Sequence, residues 1–65
     1  MIEKMLVTKI MKRAKVLSLP RSPICMVLDH WSPPGWMEII YYTVRMPDGS
    51  LMDQVRPEEI KFLNK

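Results

Sequence analysis

The most constraining feature of this 65-residue chain is a single stretch near its middle. Glu38 to Met46 is a nine-residue run of mostly β-branched and aromatic residues, and Pro47-Asp48-Gly49 follows it directly. Such a run suits a pleated, half-buried surface rather than a helix. Proline presets φ, and Asp-Gly accepts the positive φ of a tight turn, so the chain must reverse here. Ser50 to Val55 is then expected to return antiparallel. Within the run the even positions are Ile40, Tyr42, Val44 and Met46, and the odd ones are Ile39, Tyr41, Thr43 and Arg45. Because the odd set carries Thr43 and Arg45, the even set is assigned to the core.

The rest of the chain reads as further short strands. Ala14 to Leu19 is a strand stopped by Pro20, and Arg21-Ser22-Pro23 completes a loop. Ile24 to Trp31 is a second, largely apolar strand, ended by the loop Ser32-Pro33-Pro34-Gly35. Arg56-Pro57-Glu58-Glu59 has proline at the first position of a helical turn and acids beside it. Ile60, Phe62 and Leu63 make a short last strand. Residues 2–12 admit two readings. Ile2, Met5, Leu6 and Ile10 form a helical stripe, whereas alternation through Met5–Met11 is not clean, so a short amphipathic helix is favoured over a first strand from Leu6 into Val16.

About five short strands with one helical turn before the last is the element order of a small, mainly all-β, five-stranded SH3-like barrel. A short N-terminal helix or extra strand precedes it. Residues 1–13 are thus expected as a basic amphipathic segment and 14–65 as the barrel. A small α+β domain is the other architecture that fits.

A family resemblance rests on Tyr42-Thr43-Val44-Arg45-Met46-Pro47-Asp48-Gly49-Ser50-Leu51, followed by Val55 and Pro57-Glu58-Glu59-Ile60. Over residues 36–63 this resembles the second half of SH3-like and Tudor-like modules: a Tyr-x-Val strand, an Asp-Gly turn, a second strand and an acidic helical turn. The resemblance implies a fold, not an activity. Small proteins of phages and plasmids share this outline. The plasmid-encoded dihydrofolate reductases use a Val-Gln-Ile-Tyr strand in a related barrel. Asp53-Gln54-Val55-Arg56 lacks the tyrosine, so that activity is not carried over.

Composition narrows the function classes. A chain this short buries only roughly 60% of the surface its unfolded form exposes, so it is marginal unless stapled or partnered. Cys25 is the only cysteine and His30 the only histidine, which excludes an internal disulfide and a structural zinc site. No cofactor is implied. A self-sufficient domain, a homo-oligomer and a subunit of a larger assembly all fit. No apolar run approaches the roughly 20 residues of a membrane span, and the N-terminus does not read as a signal peptide. A cytoplasmic setting is expected. Paired carboxylates, a metal cluster and a phosphate-cradling loop are all missing, so an enzyme is not expected.

Two surfaces compete for function. Trp31, Trp36, Tyr41 and Tyr42 are four of the five aromatics and lie within twelve residues. They suit a protein contact, an aromatic cage or base stacking, or else one tryptophan and Tyr42 belong to the core. With Ile2, Met5, Leu6, Ile10 and Arg45, the residues Trp31, Trp36 and Tyr41 form the expected protein-binding surface of an adaptor or inhibitor. Met37, Met46 and Met52 are expected in the core, and Met1, Met5 and Met11 on an adaptable surface. The alternative is nucleic acid. Residues 1–21 hold six basic residues against Glu3 alone, a balance of +5, while the remainder holds four against six acids. Lys9, Lys12, Arg13, Lys15 and Arg21 are the candidate phosphate contacts. His30 is expected at the surface, and Cys25 as a buried small hydrophobe.

Overall fold

The computed structural model describes residues 3–63. Five strands form one antiparallel sheet: β1 (Met5–Val16), β2 (Ile24–Ser32), β3 (Tyr41–Arg45), β4 (Leu51–Val55) and β5 (Ile60–Phe62). Their order is β4-β3-β2-β1-β5, so the chain meanders through four strands and returns to place the last beside the first. The sheet curls into a half-barrel, the all-β architecture expected, and compatible with an SH3-like fold.

The turn at Pro47-Asp48-Gly49 works as its composition dictates. The Gly49 N–H donates to Met46 O at 2.9 Å, and the Met46 N–H donates to Ser50 O at 2.8 Å. Gly49 takes the left-handed conformation that closes the loop (φ 94°). Asp48 Oδ1 accepts from both the backbone N–H and the hydroxyl of Ser50. These bonds, the backbone one foremost, hold the Asp48 carboxyl below its ordinary range. After β4, a 3₁₀ turn (Pro57–Glu59) leads into β5. Glu59 braces it by accepting from the Arg56 N–H at 3.1 Å and from the Ser18 hydroxyl at 2.9 Å.

Residues 5–13 are strand, not the amphipathic helix favoured from the sequence. β1 runs unbroken from Met5 to Val16 and pairs with β2 along its length. An isolated helix of that length is marginal in water, whereas pairing satisfies the backbone at once. Two irregularities interrupt β1. Three residues of β1 span two of β2 between Met5 and Thr8, and again between Lys9 and Lys12. Each extra residue is absorbed by a left-handed side-chain-bearing residue, Leu6 (φ 53°) and Met11 (φ 58°). β4 has a third such position, Gln54 (φ 59°), between the pairs Tyr42–Val55 and Val44–Met52.

The core lies inside the curl. Ala14, Val16, Cys25, Val27, Val44, Val55 and Ile60 are buried together, ringed by Ile10, Leu19, Tyr42, Met46, Met52 and Phe62. Tyr42, Val44 and Met46 of the even set therefore face inward as expected, whereas Ile40, the fourth, lies before β3 and is not among the residues packed on this core. Cys25 is buried there with its Sγ 3.5 Å from Met46 Sδ, and burial pushes its thiol pKa up. Thr43, of the odd set, is buried as well, on the opposite side of the sheet. The reason is Trp31.

Candidate functional site

Trp31 pairs with Tyr41 in the β2–β3 register, and Asp29 with Thr43. The indole is fully enclosed, at 0% exposure, so Trp31 belongs to a second interior cluster and not to the surface where a partner-binding role would place it. Its Nε1 donates to Thr43 Oγ1 at 3.1 Å. Thr43 Oγ1 also accepts from Lys4 Nζ at 3.1 Å and donates to Asp53 Oδ1 at 2.8 Å. One hydroxyl thus uses its single donor and both acceptor positions. Lys4 closes the arrangement: its Nζ is 2.8 Å from Asp53 Oδ1 and 5.3 Å from the Trp31 ring. The Lys4 hydrogen bond, and then that of Thr43, hold the Asp53 carboxyl below its ordinary range against the opposing effect of burial. Tyr41 is half-buried because it lies against Trp31, with ring centroids 5.2 Å apart.

This lock fixes the start of β1 over the β3–β4 hairpin, and an apolar end of the sheet is built around it. Met5 is paired with Ser32, and the Ser32 hydroxyl donates to Met37 O at 3.3 Å. The loop between β2 and β3 is shaped by Trp36 N–H to Pro33 O (3.1 Å) and Ile39 N–H to Trp36 O (3.0 Å). Met5, Leu6 and Val7 on β1, and Trp36, Met37 and Ile39 in the loop, are all exposed. Leu6 reaches 65% and Trp36 58% exposure.

The expected protein-binding residues therefore separate. Met5, Leu6 and Trp36 share this end. Ile10 turns inward against the core, which removes it from the surface set, and Ile2 lies outside the described residues. Arg45 is exposed on the outer face, in register with Met26 and Leu51. Met37, expected in the core, is exposed instead, and Val7 and Ile39 join the surface. Ile39 belongs to the odd set already read as outward, whereas nothing in the sequence marks Met37 as turned out.

Lys9, Lys12, Arg13, Lys15 and Arg21 are all exposed but do not share one face. Lys12 is paired with buried Val27 and borders the half-barrel's mouth, a hollow of about 370 Å³ with Ile10, Tyr42, Phe62 and Leu63. Arg13 and Lys15 alternate with fully buried Ala14 and Val16, and so point out the other side.

His30 is not a surface histidine. It is half-buried, paired with Tyr42 and packed edge-on against that ring, with centroids 6.3 Å apart. Its Nδ1 and Asp29 Oδ1 are enclosed without a hydrogen-bond partner. The two residues sit in different registers, Asp29 opposite Thr43 and His30 opposite Tyr42, so they do not form a working pair. A second hollow of similar size lies between β3 and the 3₁₀ turn, where Tyr41, Arg56 and Glu58 meet. Among the described residues no group of three potential metal ligands gathers, and no helix is long and apolar enough to cross a membrane. Comparison with protein-family models, curated proteins and solved structures finds no match to this chain.

Proposed function

We propose that this chain is an SH3-like binding module without catalytic activity, acting as an adaptor or inhibitor through protein contact. The observation that supports this reading is the apolar end of the sheet. Six large apolar side chains, Met5, Leu6, Val7, Trp36, Met37 and Ile39, are held there in water on hydrogen-bonded strand and loop backbone. Burying an exposed apolar side chain contributes roughly 1.5–3 kcal/mol when it is fully covered. Trp36 is the natural anchor, since tryptophan dominates the energetics of many interfaces and its loop is already shaped. The Lys4–Asp53–Thr43–Trp31 lock ties the start of β1 to β2, β3 and β4 without using any of the six.

Truncating residues 1–11 would delete more than half of β1 together with the Lys4 contacts, so it does not separate binding from folding. Side-chain substitution does. The full chain, immobilised and exposed to a nuclease-treated lysate, should retain a discrete protein that both Leu6→Glu and Trp36→Ala lose. Arg13→Gln, on the far part of β1, should keep it. Retention of the same protein by Leu6→Glu and Trp36→Ala would end the proposal.

A further inference from the structure

The register of the sheet sorts the basic residues in a way their order along the chain hides. On the outer face, opposite the core, Leu51, Arg45, Met26 and Arg13 form one row across β4, β3, β2 and β1. The next row is Ile24, Lys15 and Lys61 across β2, β1 and β5. The two rows hold four cationic residues and not one acid. Among the described residues, none of the four makes a salt bridge or a side-chain hydrogen bond. Acids elsewhere in the fold have their own partners, Asp53 with Lys4, Glu59 with Ser18 and Arg56, and Asp48 with Ser50, and Asp29 lies outside both rows, opposite Lys9 and Thr43, with its Oδ1 enclosed. Glu58 lies 3.9 Å from Arg56.

Lys15 stands directly opposite Lys61. Like charges so placed destabilise a sheet, and among the described residues neither lysine has an ion-pair partner. Arg13 and Arg45 flank Met26 at two strand spacings, about 10 Å apart. We infer that this outer face is a docking site for duplex DNA, gripped through its phosphate backbone. Charge complementarity carries the choice of a phosphate polymer, and guanidinium groups are suited to bidentate phosphate contact. Duplex is chosen over single strand because the two rows contain no aromatic side chain on which unpaired bases could stack. Such a grip fixes position without reading sequence. The face is distinct from the apolar end used for protein contact: Arg13 pairs with Met26 and Met5 with Ser32, six residues apart along β2, about 20 Å of extended strand.

Fluorescence anisotropy of a labelled random-sequence 20-base-pair DNA duplex, titrated with the full chain between 20 and 200 mM NaCl, tests this. Four phosphate contacts give a log–log salt slope of about −3.6. Arg13→Gln, Lys15→Gln, Arg45→Gln and Lys61→Gln should each reduce the slope's magnitude by about 0.9. Lys12→Gln, which alters the mouth of the half-barrel, should leave it unchanged. Lys15→Gln should also raise the melting temperature by relieving its repulsion with Lys61, so weaker binding and greater stability appear in one variant. Four results would overturn the inference: no binding at 20 mM NaCl, a Lys12→Gln loss equal to that of Lys15→Gln, tighter binding of a single-stranded 20-mer, or binding of phosphatidylserine vesicles but not of the duplex.

Discussion

Trp31 donates its indole N–H to the Thr43 hydroxyl across 3.1 Å, on the side of the sheet that faces away from the main core. A half-barrel of this size has one obvious interior, inside the curl. The Trp31–Thr43 pair shows that its outer face has a second one, small and polar-stitched. Lys4 and Asp53 complete it from opposite ends of the chain, 49 residues apart in sequence. Four strands or strand ends are thereby joined at one hydroxyl, which makes that hydroxyl a sensitive point.

Thr43→Val removes the hydroxyl while keeping the shape. Trp31 Nε1 then stays buried without an acceptor, and Lys4 and Asp53 each lose a partner. Leaving a buried donor unpaired costs about 1–3 kcal/mol. In a domain this small each kcal/mol lowers the melting temperature by about 4–8 °C. Thr43→Ser keeps the hydroxyl and should lose much less. Thermal unfolding followed by circular dichroism distinguishes them, and equal melting temperatures for the two variants would contradict the network.

Acid should weaken the same lock. The Asp53 carboxyl is held below its ordinary value of 3.8, first by the Lys4 hydrogen bond and then by Thr43. A carboxylate depressed in the folded state contributes stability that is full above the unfolded-state value. That contribution falls as pH drops through 3.8 toward the lower folded value, because the unfolded chain binds the proton first. Asp53 is 39% exposed, so water screens the pair and its share stays below about 1 kcal/mol. Asp48 loses stability in the same direction. Urea unfolding at pH 7 and pH 3 should therefore show a smaller pH difference for Asp53→Asn than for wild type, but not zero. An unchanged difference would mean that the Lys4–Asp53 contact does not form in solution.

What could be read from residues alone follows from periodicity. The hairpin around Asp48-Gly49 and the inward placement of Tyr42, Val44 and Met46 were legible because β3 alternates without interruption up to its turn. The N-terminal part of β1 read as a helix ahead of the competing strand from Leu6 into Val16 because Leu6 and Met11 each insert an extra residue, and the period of two restarts after each one. The residues left over mimic a helical stripe. Trp31 was placed outside because its burial depends on Thr43 and Lys4, neither of which marks itself as a partner in the chain. Lys61 was missed as a companion of Lys15 for a similar reason: 46 positions separate them in sequence, and only the β1–β5 register joins them.

The two tryptophans should behave as opposites. Trp31 is sealed and Trp36 is not, so Trp36→Phe should leave a blue-shifted emission that acrylamide hardly quenches. Trp31→Phe should leave a red-shifted, readily quenched one. Trp31→Ala costs about 3–5 kcal/mol, a large share of the total stability of any small domain. Trp36→Ala, away from the core and the lock, should stay within about 0.5 kcal/mol of wild type. Comparable quenching of the two single-tryptophan proteins would return Trp31 to the surface.

Met11 tests the irregularity that decides how β1 is read. Its φ of 58° lies in the left-handed region, where a side chain costs roughly 1–2 kcal/mol per residue. Met11→Gly removes that strain but frees the unfolded chain, which returns about 0.4–1 kcal/mol. The net expectation is a protein as stable as wild type, or more stable by up to about 1.6 kcal/mol. Met11→Val moves the other way, since a β-branched side chain tolerates positive φ least. It should lose about 1 kcal/mol or more. The order glycine, methionine, valine is the reverse of what a regular strand position shows, where valine is favoured and glycine penalised. Urea midpoints for the three proteins decide between them. Valine at or above wild type would mean that β1 passes Met11 without an extra residue. The phase between Lys9 and Lys12 would then shift by one, and every side chain on the N-terminal side of Met11 would exchange faces.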